Sequence, residues 1–261
     1  MNVGTVNLCI KNERGRFIAS QAYCDGAFKL GRAQFLEGVP LYYLIHVGGG
    51  YVSGDRYEQV ITCEEAASLY LTTQAATKVY KGLQPAFVET TIQIKENAHL
   101  SLIQDPLILF ENAKFHQQIT VSLNKGSTFA YTEILTPGWS PTNTPFQYTE
   151  YVTNFQLKMN EKLLYMDRLV LQKGMQQTFL QFNQYSHYGT YLCIDSLDED
   201  FYEWLEGYKY QYEQMGISTI DEHGFVCKML AHRTQHIEEA FQQLDEKIRS
   251  VKNRPRLLIR K

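Results

Sequence analysis

The sequence predicts a mainly β protein of solenoid-like stacked strands with a small C-terminal two-helix part. Three observations predict it. Over residues 1–194 apolar side chains alternate with polar ones, the mark of strands buried on one face. Polar turn clusters recur along that stretch at roughly thirty-residue intervals, within the range of stacked repeats. After Asp195 the apolar period lengthens to that of a helix.

The alternation is plain in several runs. Val88, Thr90, Ile92 and Ile94 alternate with Glu89, Thr91, Gln93 and Lys95. Ile119, Val121 and Leu123 repeat the pattern, as do Phe129, Tyr131 and Glu133, and then Phe155, Leu157 and Met159. The turn clusters fall at Glu64–Glu65, Lys95–Asn97, Asn124–Ser127 and Asn160–Lys162, each with a strand on both sides. A β-sandwich with regular hairpins would give the same pattern, so stacked repeats and sandwich both stay open here. Beyond Asp195, Ser196-Leu-Asp-Glu199 reads as a capping box for a helix. Phe201, Trp204, Leu205, Tyr208, Tyr212 and Met215 fall on one face of that helix. A strand pair follows near Ile217–Ile220 and Phe225–Leu230. A second helix over Thr234–Val251 carries the stripe Ile237, Phe241, Leu244, Ile248 and Val251. The whole reads as a single domain, residues 1–194 forming the β body and 195–261 the helical part.

Composition narrows the function. With 261 residues and 44% hydrophobic content, the chain can bury a sizeable core. Its net charge of -3 offers no basic excess for a phosphate backbone, which argues against nucleic acid. The C-terminal end is locally basic, at Arg249, Lys252, Arg254, Arg256, Arg260 and Lys261. It reads as a solvated tail balancing an acidic body, or as a docking surface for an acidic partner. Cys9, Cys24, Cys63, Cys193 and Cys227 form no C-x-x-C pair and are odd in number, so they read as buried small hydrophobes in a reducing compartment. No stretch has the length of a membrane span, and the early charges Lys11, Glu13, Arg14 and Arg16 interrupt any leader. The expectation is a soluble, cytoplasmic protein.

Two segments stand out. Gly48-Gly49-Gly50-Tyr-Val-Ser-Gly54-Asp55 looks like a phosphate cradle, but a Walker loop ends in Gly-Lys-Ser/Thr and enters a helix. Here Asp55 and Arg56 lead into Tyr57, Gln59 and Ile61, alternating as a strand. The glycines therefore mark positive φ or close backbone packing. Leu71-Thr-Thr-Gln-Ala-Ala-Thr-Lys78-Val-Tyr80 concentrates small and hydroxylated residues, which suit either a polar channel or a closely packed strand. No Gly-x-Ser-x-Gly elbow or Cys/His spacing points to a nucleophile. Asp105, Glu111, Glu133 and Glu150 sit near strand ends, and a hydrolase would need two of them facing each other. His232 and His236 are four apart without a third ligand, and His187 reads as a hydrogen-bonded structural histidine.

These motifs together resemble the urease accessory protein family UreD, also called UreH. The resemblance is carried by Val47–Asp55, Leu71–Tyr80, Asp105–Phe110 with Glu111–Ala113, and Glu133–Trp139 with Phe146. Tyr185–Gly189 and Ile259–Lys261 complete it, over about Gly31 to the C-terminus. The Thr-Thr-Gln-Ala-Ala-Thr-Lys run is the most specific piece. Where many members have Asn-Pro or a similar pair before the glycines, this chain has His46-Val47. The resemblance implies a β-superhelical body and a non-enzymatic role in urease maturation. It also implies partners: the urease apoprotein, UreF and the GTPase UreG, which supplies GTP hydrolysis while nickel is placed in urease. No stably bound cofactor is expected, only nickel in transit. Nickel accepts oxygen and nitrogen ligands, and a protein that passes it on should hold it weakly in a wet polar path. Asp55, Thr72, Thr73, Thr77, Glu111 and Glu133 are the candidates for that path. Gly48, Gly49, Gly50, Gly54, Lys78, Tyr80 and Trp139 are candidates for shaping the motif or meeting a partner. A β-helical carbohydrate-active enzyme and a generic β-rich interaction module are the competing readings.

Overall fold

The computed structural model describes residues 2–174, 182–212 and 214–257, so the Ile259–Lys261 ending lies outside the described residues. One sheet contains β1 (Asn2–Glu13), β2 (Arg16–Gly26), β6 (Arg56–Cys63), β9 (Ala86–Ile94), β12 (Lys114–Leu123), β14 (Glu150–Met159) and β15 (Lys162–Gln172). Its order is β15-β14-β12-β9-β6-β1-β2. The second sheet runs β17 (Met215–Thr219), β18 (Gly224–Ala231), β16 (His187–Ile194), β13 (Thr128–Leu135), β10 (His99–Ile103), β7 (Ser68–Thr73), β5 (Val39–His46), β3 (Phe28–Leu30). Short β4 (Gln34–Leu36) pairs with β5, and β8 (Thr77–Val79) pairs with β11 (Leu107–Leu109), which joins the second sheet through β13. Among the described residues two longer helices, α1 (Glu199–Lys209) and α2 (Thr234–Val251), complete a mainly β architecture.

The turn clusters at Glu64–Glu65, Lys95–Asn97 and Asn124–Ser127 mark where the chain passes from the first sheet to the second, while Asn160–Lys162 turns a hairpin between β14 and β15 within the first. β6, β9, β12 and β14 lie parallel side by side, and so do β7, β10 and β13. Register brings like beside like. Leu8, Ile61, Ile92, Val121 and Leu157 form one buried row across the first sheet. Leu69, Leu100 and Phe129 form a buried row across the second. Burying such a row is worth about 25 cal/mol per Å² of apolar surface, so the alternation itself drives the two sheets together. The apolar character weakens away from the turns. There the inward positions become Gln59, Thr90 and Gln117 on one sheet and Thr73 and Glu133 on the other.

The helices cover the outer face of the second sheet. Ile237, Phe241, Leu244 and Ile248 of α2 are buried with Tyr191, Cys193, Phe225 and Cys227. Gly189 admits the helix, since a Cβ there would lie 2.4 Å from Ile237 Cγ2. Two sequence expectations are corrected. The first helix is capped by Asp198, whose carboxylate accepts from the Phe201 amide at 2.9 Å, and not by Ser196. Ser196 instead accepts Lys252 through its backbone carbonyl. The helix also ends at Lys209, so Tyr212 lies beyond it and Met215 opens β17.

The basic C-terminal segment is neither a solvated tail nor an open docking surface over its described part. Arg249 is 3% exposed and pairs with Asp245. Asp195 is held by Arg254 at 2.7 Å and Lys252 at 3.3 Å, and Arg256 meets Glu246 at 2.6 Å. The acidic residues that these cations neutralise lie on or beside the helical part, close enough in space to claim them. The cysteines are free, and Cys63, Cys193 and Cys227 are buried. Burial pushes the Cys227 thiol up to about 12, so it behaves as a small hydrophobe. Among the described residues no helix is long and apolar enough to cross a membrane.

Candidate functional site

The glycine segment and the threonine run meet. Tyr51 and Val79 form a parallel bridge, with the Tyr51 amide donating to Lys78 O at 2.8 Å and the Tyr80 amide to Tyr51 O at 2.9 Å. This contact explains Gly50. Its φ is +152°, and a Cβ there would lie 2.5 Å from Lys78 O. The expected close backbone packing is therefore what the glycines provide. The phenol of Tyr80 closes the junction by donating to Gly49 O at 3.2 Å.

Behind this junction lies a string of three cavities. The outer one, about 160 Å³, is walled by His46, Gly49, Gly50 and the Thr73–Lys78 turn. His46 sits within a cage of Phe28, Tyr51 and Tyr57, at ring distances of 5.3, 4.9 and 5.4 Å. Burial lowers its pKa, favouring a neutral imidazole. Leu44, Tyr51, Thr73 and Thr77 are shared with a middle cavity of about 40 Å³. That cavity lies between the sheets and is lined by Gln59, Thr90, Asp105, Gln117 and Glu133. It has room for ordered water. Glu133 leads in turn to an inner space of about 10 Å³ beside Thr153, Tyr165, Asp167 and Thr190.

Carboxylates punctuate the string. Asp105 accepts from Thr73 Oγ1 at 2.9 Å, while its own amide donates back to that hydroxyl at 2.8 Å. Glu133 accepts from the Tyr151 phenol at 2.9 Å and from Gln117 Nε2. Gln117 also reaches Thr153 Oγ1 at 3.1 Å. Burial raises the Glu133 pKa, opposed by the Tyr151 and Gln117 donations. Asp167 pairs with Lys228 at 2.7 Å where the string approaches the surface. An anionic oxygen in a low-dielectric seam attracts a cation more strongly than it would in water.

The sequence candidates divide. Thr73, Thr77 and Glu133 line the middle cavity, and Gly49, Gly50 and Lys78 wall the outer one. Asp55 stands beside the cage, accepting from the Tyr57 phenol at 3.0 Å. Thr72 is buried, with its hydroxyl turned to Thr73 O at 3.4 Å, and Glu111 follows β11; neither lines the string. Gly48 and Gly54 shape the loop, and Trp139 stands on the surface, 50% exposed. Asp105, Asp167, Gln59, Thr90 and Gln117 were not singled out for a path. The signal for three of them was present, because Gln59, Thr90 and Gln117 put polar groups at inward-facing strand positions. His232 and His236 lie by an open cavity of about 260 Å³ near Glu239, and His232 stacks on Tyr185 at 4.5 Å. Among the described residues no three His, Cys, Asp or Glu side chains group as metal ligands. His187 contacts Ser186 Oγ at 2.9 Å.

Comparison with known proteins decides the family. A family model described as UreD urease accessory protein matches residues 2–260. The chain belongs to the UreD urease accessory protein family. The match extends the sequence resemblance from Gly31 back to the first strand. A urease accessory protein UreD from Staphylococcus aureus strain bovine RF122 / ET3-1 is 34% identical over 247 residues, covering 90% of this chain and 89% of the relative. Relatives of the same description from the JH9 and Newman strains of that species share the same identity and coverage.

Proposed function

We propose that this chain is a non-catalytic scaffold of urease maturation. In this reading it binds the urease apoprotein together with UreF and the GTPase UreG in the cytoplasm, and nickel passes through its interior. The strand pairs, stacked in parallel between two sheets, serve as the superhelical wall of that passage. The observation that carries the reading is that three cavities sharing wall residues, from the Gly49 mouth inward, each carry polar side chains, among them Thr73, Asp105, Glu133 and Asp167. Hydroxyls and amides outnumber carboxylates along them, so oxygen donors replace part of a hydration shell without forming a deep trap. The carbohydrate-enzyme reading has less support. Glu133 and Asp105 face a space of about 40 Å³, while small-molecule sites occupy about 300 Å³ or more.

The test is reconstitution with purified apo-urease, UreF, UreG, GTP and nickel. Glu133→Ala and Asp55→Ala should lower activation several-fold while the complex still assembles. Normal activation in both variants would remove the interior path. Full nickel loading in the absence of this chain would remove the maturation role itself.

A further inference from the structure

The two edges of the first sheet differ in how they are guarded. β15 ends one side and carries Asp167 and Arg168 at its centre, charges of the kind that keep an edge from pairing. β2 ends the other side, pairs with β1 alone among the described residues, and is exposed along nearly all of its 11 residues. From Phe17 to Cys24 it holds no charge and no proline. At the ends of the second sheet, β17 has 5 residues and β3 has 3, so each is a shorter template. A long edge strand without such guards presents a row of backbone amides and carbonyls ready to pair with another strand.

The side chains of β2 read alike from either end. Phe17 and Cys24 are half-buried against the core. Ala19 and Ala22 stand beside Ile10 and Leu8, whose side chains are buried, so they face inward too. Ile18 and Tyr23 lie on the outer face, 36% and 53% exposed. Arg16 and Asp25 stand beyond them, exposed and without an ion-pair partner among the described residues. Strict alternation would put Phe17 and Cys24 on opposite faces, because they are an odd number of positions apart. The extra residue Ser20, where the register with β1 slips between Cys9 and Ile10, brings them to the same one.

This symmetry says what fits the edge. Two β2 strands laid antiparallel about a two-fold axis at Ser20–Gln21 match residue for residue. Arg16 opposes Asp25 of the second copy, Phe17 opposes Cys24, Ile18 opposes Tyr23 and Ala19 opposes Ala22. Directly opposed residues of an antiparallel pair share a face, and each of these pairs joins two inward or two outward side chains. Opposite charges meet at both ends, and an aromatic ring meets a β-branched side chain twice on the outer face, both favoured cross-strand pairs. We propose that β2 pairs antiparallel with β2 of a second copy of this chain, joining two first sheets into one continuous sheet. The pairing needs no nickel, GTP or urease, so its test is independent of the function proposed above.

Sedimentation of the purified full chain at low salt, over a range of concentrations, should show a monomer–dimer equilibrium. The double variant Ile18→Lys, Tyr23→Lys sets like charges opposite each other and should raise the dimer dissociation constant by about tenfold or more. Arg16→Asp alone and Asp25→Arg alone should each weaken self-association, because each leaves like charges opposed at both ends. Mixed in equal amounts, these two variants should bind each other more tightly than either binds itself, since every end pair is again opposite in sign. Melting temperatures equal to the parent's confirm that the exposed substitutions leave the fold intact. If the double lysine variant fails to fold, the end-charge variants decide. A parent that stays monomeric at every concentration overturns the pairing. A dimer that the folded lysine variant leaves unchanged also overturns it, because the contact then lies on another surface. A mixture no tighter than its components overturns the register.

Discussion

Two places among the described residues bury charged side chains against neighbouring strands of one sheet. At the helical end, the Arg249 guanidinium meets Asp245 and lies 4.6 Å from the Tyr70 ring, and its Nη2 donates to Ser101 Oγ at 3.1 Å. Asp195 takes Arg254 and Lys252, and the space left among these groups is about 10 Å³. His99 lies within this knot, bonded to Thr128 and Ser101, and burial and the adjacent arginines hold its pKa well below the usual value. At the interior seam, Glu133 has neutral donors but no cation in direct contact among the described residues, and it borders open space. Charges matched one to one fasten a terminus to a body. A carboxylate left without its counterion keeps a standing attraction for one.

Three measurements sharpen that contrast, from the largest effect downward. Arg249→Ala strands Asp245 and opens the knot, so unfolding free energy should fall by about 3–5 kcal/mol in a denaturant titration. A loss below 1 kcal/mol would mean the knot is decoration. Asp198→Ala removes only the cap of α1 and should cost about 1 kcal/mol, with Ser196→Ala nearly silent. Equal losses in the two variants would restore the Ser196 cap. The third change reverses sign. Glu133 has a raised folded pKa, so its contribution to stability is fullest below the ordinary carboxylate range and is lost as pH rises through the folded value. Glu133→Gln should therefore gain stability relative to the parent as pH climbs from about 4.5. Melting temperatures of both proteins across that range check it, and parallel curves would show that Glu133 is not destabilised by burial.

Much of the fold was legible because strand and helix periods are local. The second helix runs over Thr234–Val251 as its stripe predicted, and the turn clusters fall between strands, three of them where the chain changes sheet and Asn160–Lys162 in a hairpin of the first sheet. The cap of α1 was misassigned for a local reason as well. Ser196 and Asp198 are both capping residues, and the Ser-x-x-Glu template fitted one of them. In the candidate site, Glu133 and the threonine run were visible as motif residues. Asp105 and Asp167 were not, since their relation to the seam depends on pairings between strands far apart in the chain. The buried Asp245–Arg249 pair was equally hidden, because on a helical wheel it looks like a solvated i, i+4 pair.

By itself, then, the amino-acid order determined the β character, the places where the chain turns, the late change to helix and the family. Each of these is set by side-chain pattern over a few residues or by motif identity. Only the tertiary structure decided which polar groups share an interior. Parallel stacking brings Thr73, Gln117 and Glu133 around one cavity from three separate strands. It likewise turned the basic C-terminal segment inward, because Asp195 and Asp245 lie within reach of its cations only after the helices have packed on the sheet.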